Sequence, residues 1–116
     1  MLICQEQILE VRMLYSCMNN TKWNEIRGAM VSMESPPLWK ITFLNGYESA
    51  VDGEWFYHFT EGGYLDIQYL DILTNSVEQH ATVGTILRAI HLPGIETSIG
   101  YRILGHADSV SDVDYF

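Results

Sequence analysis

Three side chains that can exchange protons or offer a hydroxyl group, Tyr47, His58 and Asp66, fall at one level of a predicted antiparallel sheet. Directly paired side chains on neighbouring strands have Cβ atoms about 4.5–5.5 Å apart, so Asp66 is expected to orient the His58 imidazole. A histidine oriented by a carboxylate is what general base catalysis requires. The sequence provides this row with no obvious nucleophile, oxyanion donor or phosphate-binding glycine loop. We therefore assign no catalytic residue and keep a small hydrolase-like enzyme using His58 and Asp66 as the alternative.

Charge is distributed unevenly along the chain. No Lys or Arg occurs between Lys40 and Arg88, although this stretch contains seven carboxylates and most of the aromatic residues. A concentrated negative field attracts cationic partners and repels nucleic acids and anionic membranes. We therefore predict a surface that binds a cationic protein. Its residues are Tyr47, Glu54, Phe56, His58, Asp66 and Gln68.

Length and composition restrict the class of protein. The 116 residues fit one domain, and a net charge of −9 argues against a nucleic-acid-binding protein. Cys4 and Cys17 form no CxxC motif, which argues against a disulfide framework and favours a reducing cytoplasm. The N-terminus lacks the basic region and uninterrupted apolar core of a signal peptide, and no apolar run is long enough to predict a membrane span. The histidines are scattered and no calcium-loop motif is present, so no metal or other cofactor is expected.

Two helices are predicted from apolar residues at three- and four-residue spacing. The first covers about 20–34, capped by Asn20 or Thr21 and stopped by Pro36-Pro37. The second covers about 76–91 and begins with a capping-box pattern in which Gln79 follows Ser76 by three residues.

Four strands are predicted between the helices, over 38–44, 47–51, 54–59 and 65–72, and a final strand over 97–104. The dipeptides Asn45-Gly46 and Asp52-Gly53 are strong signals for two-residue hairpin turns, which fix the register of neighbouring strands. Carrying the side-chain alternation across these turns predicts an inner and an outer face. The inner face bears Trp39, Ile41, Phe43, Trp55, Tyr57 and Phe59, and the outer face bears Tyr47, Glu54, Phe56 and His58, among others. With a five-residue loop over 60–64, Leu65, Ile67 and Tyr69 point inward and Asp66 and Gln68 point outward, whereas a four-residue loop would reverse this last strand.

The fold class that follows is α+β. Its expected order is a helix, a four-stranded antiparallel meander, a helix and a final strand, with both helices packed on one sheet face. Residues 18–116 form the single domain, and residues 1–17 are either an N-terminal extension or an extra helix. The acidic segment 105–116 is expected to be a tail whose end, Tyr115-Phe116, is packed.

Several motifs resemble a family of small bacterial proteins that is defined only as a domain of unknown function. The resemblance extends over about residues 18–116 and implies a bacterial, cytoplasmic origin. The motifs are Asn19-Asn20-Thr21-Lys22-Trp23-Asn24, Asp52-Gly53-Glu54-Trp55-Phe56-Tyr57-His58-Phe59, Gly62-Gly63-Tyr64 and Ile90-His91-Leu92-Pro93-Gly94.

These features favour a non-enzymatic, acidic protein-binding module. The most specific version is an immunity protein that neutralises a basic bacterial toxin, because complementary charge gives the fast association that such a protector needs. Besides the enzyme alternative, an oligomeric structural protein that pairs through an open sheet face stays open.

Overall fold

The computed structural model describes residues 14–108 and 113–116 and confirms the α+β class. A 3₁₀ turn (His58–Thr60) lies between the second and third strands. In chain order the other elements are β1 (Tyr15–Ser16), α1 (Asn20–Val31), β2 (Leu38–Phe43), β3 (Ile67–Leu73), α2 (Val77–Ile90), β4 (Gly94–Thr97), β5 (Gly100–Leu104) and β6 (His106–Ala107).

Four strands form one antiparallel sheet in the order β2-β3-β5-β4, and β1 pairs separately with β6. Both helices and the sheet contribute to a single buried cluster, as predicted. The helices supply Trp23, Ile26, Met30, Val83 and Leu87, and the sheet supplies Trp39, Ile41, Ile67, Leu70, Ile72, Tyr101 and Ile103.

The helix ends follow local capping chemistry. The Asn19 side chain, rather than Asn20 or Thr21, accepts the Lys22 backbone N–H at 2.9 Å, and α1 ends three residues earlier than predicted. The Ser76 hydroxyl accepts the Gln79 N–H at 3.0 Å, as the capping-box pattern predicted.

The predicted strands 47–51 and 54–59 are wrong. The Asn45-Gly46 signal gives a three-residue loop in which Gly46 is left-handed, with φ 89°, and the Phe43 N–H donates to the Tyr47 carbonyl at 2.9 Å. This loop shifts the register by one residue relative to a two-residue turn. Beyond it the chain makes only isolated bridges to β2, at Thr42 with Glu48 and at Trp39 with Asp52.

A bulge changes which face of β3 is buried. Thr42 pairs with Tyr69 but Phe43 pairs with Ile67, so Gln68 is an extra residue and the side-chain alternation reverses there. Leu70 and Ile72 therefore point into the core, whereas Leu65, which was predicted to point inward, is 83% exposed.

The predicted final strand is a hairpin of β4 and β5. Gly100 follows its turn, and a Cβ at this position would collide with the Ile72 carbonyl of β3. Glycine is required here because the two backbones approach each other closely.

Both ends of the described chain contact the fold. The Cys17 N–H donates to the Gly105 carbonyl at 2.8 Å beside the β1–β6 pair. The extra-helix alternative falls mainly on residues 1–13, which lie outside the described residues. Phe116 packs edge-on against Tyr101 with ring centroids 5.6 Å apart, which confirms a packed end. The start of the predicted tail instead forms β6.

We predict that Trp55→Ala destabilises the protein much more than Phe56→Ala. Trp55 is 2% exposed and its indole N–H donates to the Pro37 carbonyl at 2.9 Å, whereas Phe56 is 46% exposed. Truncation of a buried aromatic costs about 3–5 kcal/mol of unfolding free energy. Phe56→Ala removes an exposed cation–π contact with Arg27, worth about 0.5–1 kcal/mol, and an edge-on contact with the Tyr57 ring, worth about 0.5–1.5 kcal/mol. Urea unfolding of both variants measures the difference, and equal losses would contradict the packing described above.

Candidate functional site

One carboxylate shapes the segment that contains the aromatic block. Glu54 accepts backbone N–H groups from Phe56 at 3.1 Å, Tyr57 at 2.8 Å and His58 at 2.7 Å. These bonds, chiefly that from His58, lower the Glu54 pKa. The block consequently folds into a turn and a 3₁₀ helix instead of a strand, and the Glu54 carboxylate is occupied by its own backbone.

The turn places alternate aromatic rings differently from a strand. Trp55 and Phe59 are buried, with ring centroids 4.9 Å apart, and Trp39 lies edge-on to Phe59 at 5.4 Å. The inward prediction for these residues is confirmed. Tyr57, also predicted to point inward, is 69% exposed. In a helical turn two residues four apart share a face, whereas the residue midway between them, here Tyr57, points to another face.

A cavity of about 360 Å³, hereafter the aromatic pocket, lies between β2 and this turn. Aromatic rings and polar groups line it together, and neither Lys nor Arg is among the lining residues within 14–108 and 113–116. Its rings belong to Trp39, Phe43, Tyr47 and Phe59, and its ionisable groups to Asp52, His58 and Glu61.

His58 is oriented by a carboxylate, but the partner is Asp52 instead of Asp66. The distance from His58 Nδ1 to Asp52 Oδ2 is 2.8 Å. This bond raises the His58 pKa above its ordinary 6.5, and the carboxylates of Glu54 and Glu61 add to the effect. The Asp52 pKa is lowered, first by the Glu54 N–H that donates to Oδ1 and then by His58. The Asp52-Gly53 sequence thus forms a side-chain-bonded turn that ends beside the imidazole.

The other predicted site residues do not form one row. Tyr47 is 64% exposed and lines the aromatic pocket with His58. Phe56 faces outward, as predicted, beneath the Arg27 guanidinium, whose Cζ lies 4.4 Å from the ring centroid. Asp66 is exposed, and its carbonyl accepts the Leu44 N–H at 2.8 Å. Gln68 is the bulge residue of β3, and its carbonyl accepts the Gly105 N–H at 2.8 Å.

The segment 41–87, which contains no Lys or Arg, is partly neutralised by Lys and Arg side chains from outside it. Lys40 lies 2.5 Å from Glu48, and Arg102 makes two bonds to Asp71, at 2.8 and 3.2 Å. With Asp52 paired to His58 and Glu54 bonded to backbone, four of the seven carboxylates are already engaged within the protein.

Asp52 and Glu61 belong to the candidate site although neither was selected from the sequence. Asp52 carried a detectable signal, because Asp-Gly predicts a turn whose aspartate bonds to nearby backbone. Glu61 reaches the site because it directly follows the 3₁₀ helix. A strand over 54–59 was predicted there instead, so its position could not be foreseen.

Comparison with known proteins gives one result that bears on identity. A family model described as "Family of unknown function (DUF6678)" matches residues 5–109. The chain belongs to this family. The match begins earlier and ends earlier than the region in which the motifs suggested a resemblance. Searches of curated proteins and of solved structures found no match.

Two further classes of site are absent from residues 14–108 and 113–116. No helix in this part of the chain is long and apolar enough to cross a membrane. No group of three or more His, Cys, Asp or Glu side chains in the same part is arranged to hold a metal ion.

We predict that the His58 imidazole titrates above pH 6.5 and that Asp52→Asn lowers its pKa. A raised folded-state pKa means that the pair stabilises the fold fully below the unfolded pKa of about 6.5, and that this contribution is lost as pH rises through the folded pKa. NMR titration of the His58 ring protons in both proteins measures the shift. An unchanged His58 titration in Asp52→Asn would contradict the pairing.

Proposed function

We propose that this protein binds a cationic protein partner through the aromatic pocket and the surface around it. The observation that carries the proposal is the composition of the pocket wall, whose described residues combine two carboxylates and several aromatic rings and include neither Lys nor Arg. Aromatic faces and carboxylates both attract ammonium and guanidinium groups.

The protein's own arginines illustrate this type of contact. The Arg102 guanidinium lies over the Tyr69 ring, with Cζ 3.9 Å from the centroid, while it bonds to Asp71. The aromatic pocket presents the same two kinds of group, and Tyr47 and Glu61 are exposed at its rim. A basic side chain of a partner could therefore lie against the Tyr47 ring and pair with the Glu61 carboxylate.

The structure modifies the set of residues assigned to binding. Tyr47 and His58 remain because they line the pocket, and Asp66 and Phe56 remain as exposed residues outside its lining. Asp52 and Glu61 are added. Glu54 and Gln68 are assigned supporting roles, since the Glu54 carboxylate caps the turn and the Gln68 backbone belongs to the bulge.

The most specific form of the proposal is a cytoplasmic immunity protein that neutralises a basic toxin. A protector must associate quickly, and a net charge of −9 favours fast encounter with a basic protein. The pocket would then receive one basic side chain of the toxin.

The Asp52–His58 pair favours a small enzyme as the second candidate, with Asp52 in the role first given to Asp66. Among the described residues of the pocket, the one aliphatic hydroxyl is Ser49, which accepts the Ile41 N–H at 2.9 Å and donates to the Ala50 carbonyl at 3.0 Å. It is therefore not available as a nucleophile. His58→Asn separates the candidates, because loss of a turnover activity with binding retained would favour the enzyme.

We predict that Glu61→Lys slows association with the cationic partner by about tenfold at low salt, because a rim charge acts mainly on the encounter rate. Stopped-flow kinetics on a purified partner at increasing salt measure this, and the wild-type rate should fall as salt rises. Asp114→Lys is the matched control. It makes the same change in net charge, but Asp114 lies beside β4, at the opposite edge of the sheet from the pocket. Equal effects of the two variants, or a salt-independent rate, would remove the pocket from the binding mechanism.

A further inference from the structure

Another histidine, His80, lies outside the aromatic pocket, between a hydroxyl group and a carboxylate. His80 Nδ1 is 2.8 Å from Thr74 Oγ1, and His80 Nε2 is 2.5 Å from Glu96 Oε2. Thr74 follows β3, His80 lies in the first turn of α2 and Glu96 lies in β4. The fold thus brings together three elements to form what we call the Thr–His–Glu chain.

The imidazole of this chain is held firmly. Its ring is stacked on that of Tyr101, with centroids 4.5 Å apart and planes 20° apart. The Tyr101 hydroxyl donates to the His80 backbone carbonyl at 2.9 Å. In the neutral tautomer that carries its proton on Nε2, His80 donates to the Glu96 carboxylate and Nδ1 accepts from the Thr74 hydroxyl.

The Thr74 hydroxyl has one good acceptor. Its alternative, the Ile99 carbonyl, lies at 3.5 Å, beyond the usual range for an O–H···O bond, whereas His80 Nδ1 lies at 2.8 Å. The hydroxyl therefore points its proton at the imidazole. This arrangement, in which a nucleophile bonds to a base and the base bonds to an orienting carboxylate, is that of activated-hydroxyl catalysis.

Helix capping does not account for the Thr–His–Glu chain. The Ser76 hydroxyl already accepts the Gln79 N–H, and the Gln79 side chain accepts the Asn75 N–H at 2.8 Å. Thr74 and Glu96 take no part in either bond.

The three side chains line one open cavity of about 570 Å³. Ser76 and Val77, at the start of α2, line the same cavity. The first N–H groups of a helix have no acceptors within it. Apart from the Gln79 N–H, which Ser76 accepts, we assign those at the start of α2 as the donors for a developing oxyanion.

We propose that the Thr–His–Glu chain hydrolyses small carboxylic esters by acyl transfer through Thr74. This activity is separate from the proposed partner binding, because Glu96 lies on β4 and the aromatic pocket adjoins β2, at opposite edges of the sheet.

The reaction balances with water as the only co-reactant. Thr74 Oγ1 bonds to the ester carbonyl carbon while its proton passes to His80 Nδ1, and the Glu96 carboxylate stabilises the imidazolium. The carbon–oxygen bond to the alcohol then breaks, and His80 returns the proton to the leaving oxygen. Water, deprotonated by His80, attacks the acyl-threonine, and protonation of Thr74 Oγ1 releases the carboxylic acid and the free hydroxyl.

The test uses the full chain and p-nitrophenyl acetate, with release of p-nitrophenolate followed in time. We expect a burst, then slower turnover, and an acetyl group located on Thr74 by peptide mass spectrometry. Thr74→Val, which keeps the shape of the side chain, should abolish the adduct and lower turnover by roughly 10²-fold or more. Thr74→Ser should retain both. The matched control is Thr85→Val. Thr85 lies on α2, the helix that carries His80, and its hydroxyl donates to the Ala81 carbonyl.

Direct attack by an imidazole is the main competing source of ester cleavage. Turnover that survives Thr74→Val, or an adduct on a histidine, would overturn the proposal, as would the absence of any turnover or adduct in the wild-type protein. Glu96→Gln tests the positioning residue, and we expect a lower kcat with unchanged KM. Thermal unfolding of each variant shows whether a loss of turnover arises from unfolding, and Thr74→Ser keeps the test decisive if Thr74→Val unfolds.

Discussion

The binding of three consecutive N–H groups by the Glu54 carboxylate determines the geometry of the candidate site. It converts the aromatic block into a turn, in which Trp55 and Phe59 share the buried face and Tyr57 is exposed. The same turn brings His58 to Asp52 and forms one wall of the aromatic pocket. Core packing on one side of this segment and the ionisable groups on the other therefore depend on a single side chain.

The sequence predicted elements whose signals are local. Helix spacing, the Ser76 cap and the strand character of residues 38–43 each act within a few residues, and each appears in the fold. The aromatic block was ambiguous because residues 55 and 59 share a face in a strand of period two and also in a turn of period near four. Tyr57 could not decide the matter, since a tyrosine fits either a buried or an exposed position. The one-residue shift at Gly46 and the bulge at Gln68 depend on backbone geometry that binary patterning does not encode.

Charge distribution along the chain differs from charge distribution in space. The segment 41–87 lacks bases, yet Lys40 and Arg102 fold onto its carboxylates, and Arg27 covers Phe56. Only antiparallel pairing places Lys40, Asp71 and Arg102 in one row across β2, β3 and β5. Three carboxylates of the segment, Glu61, Asp66 and Glu78, have no partner among the described residues. Of these, Glu61 lies at the aromatic pocket, beside the Asp52–His58 pair.

His58 and His80 show why the identity of a third group decides what a histidine–carboxylate pair can do. Both imidazoles lie within hydrogen-bond distance of a carboxylate, at 2.8 Å and 2.5 Å. At His58 the aliphatic hydroxyl among the described residues of the pocket wall, Ser49, donates its proton to a backbone carbonyl instead of the imidazole, and we therefore assign the pair to the proposed binding surface. At His80 a threonine hydroxyl occupies the other ring nitrogen. Glu96 is 16 residues from His80 along the chain and on a different element, so no spacing rule could have joined them. The turn of His58 packs beside β2 and the helix of His80 packs beside β4, at opposite edges of the sheet. The groups around each imidazole depend on this tertiary packing, so the sequence alone could not distinguish the two histidines.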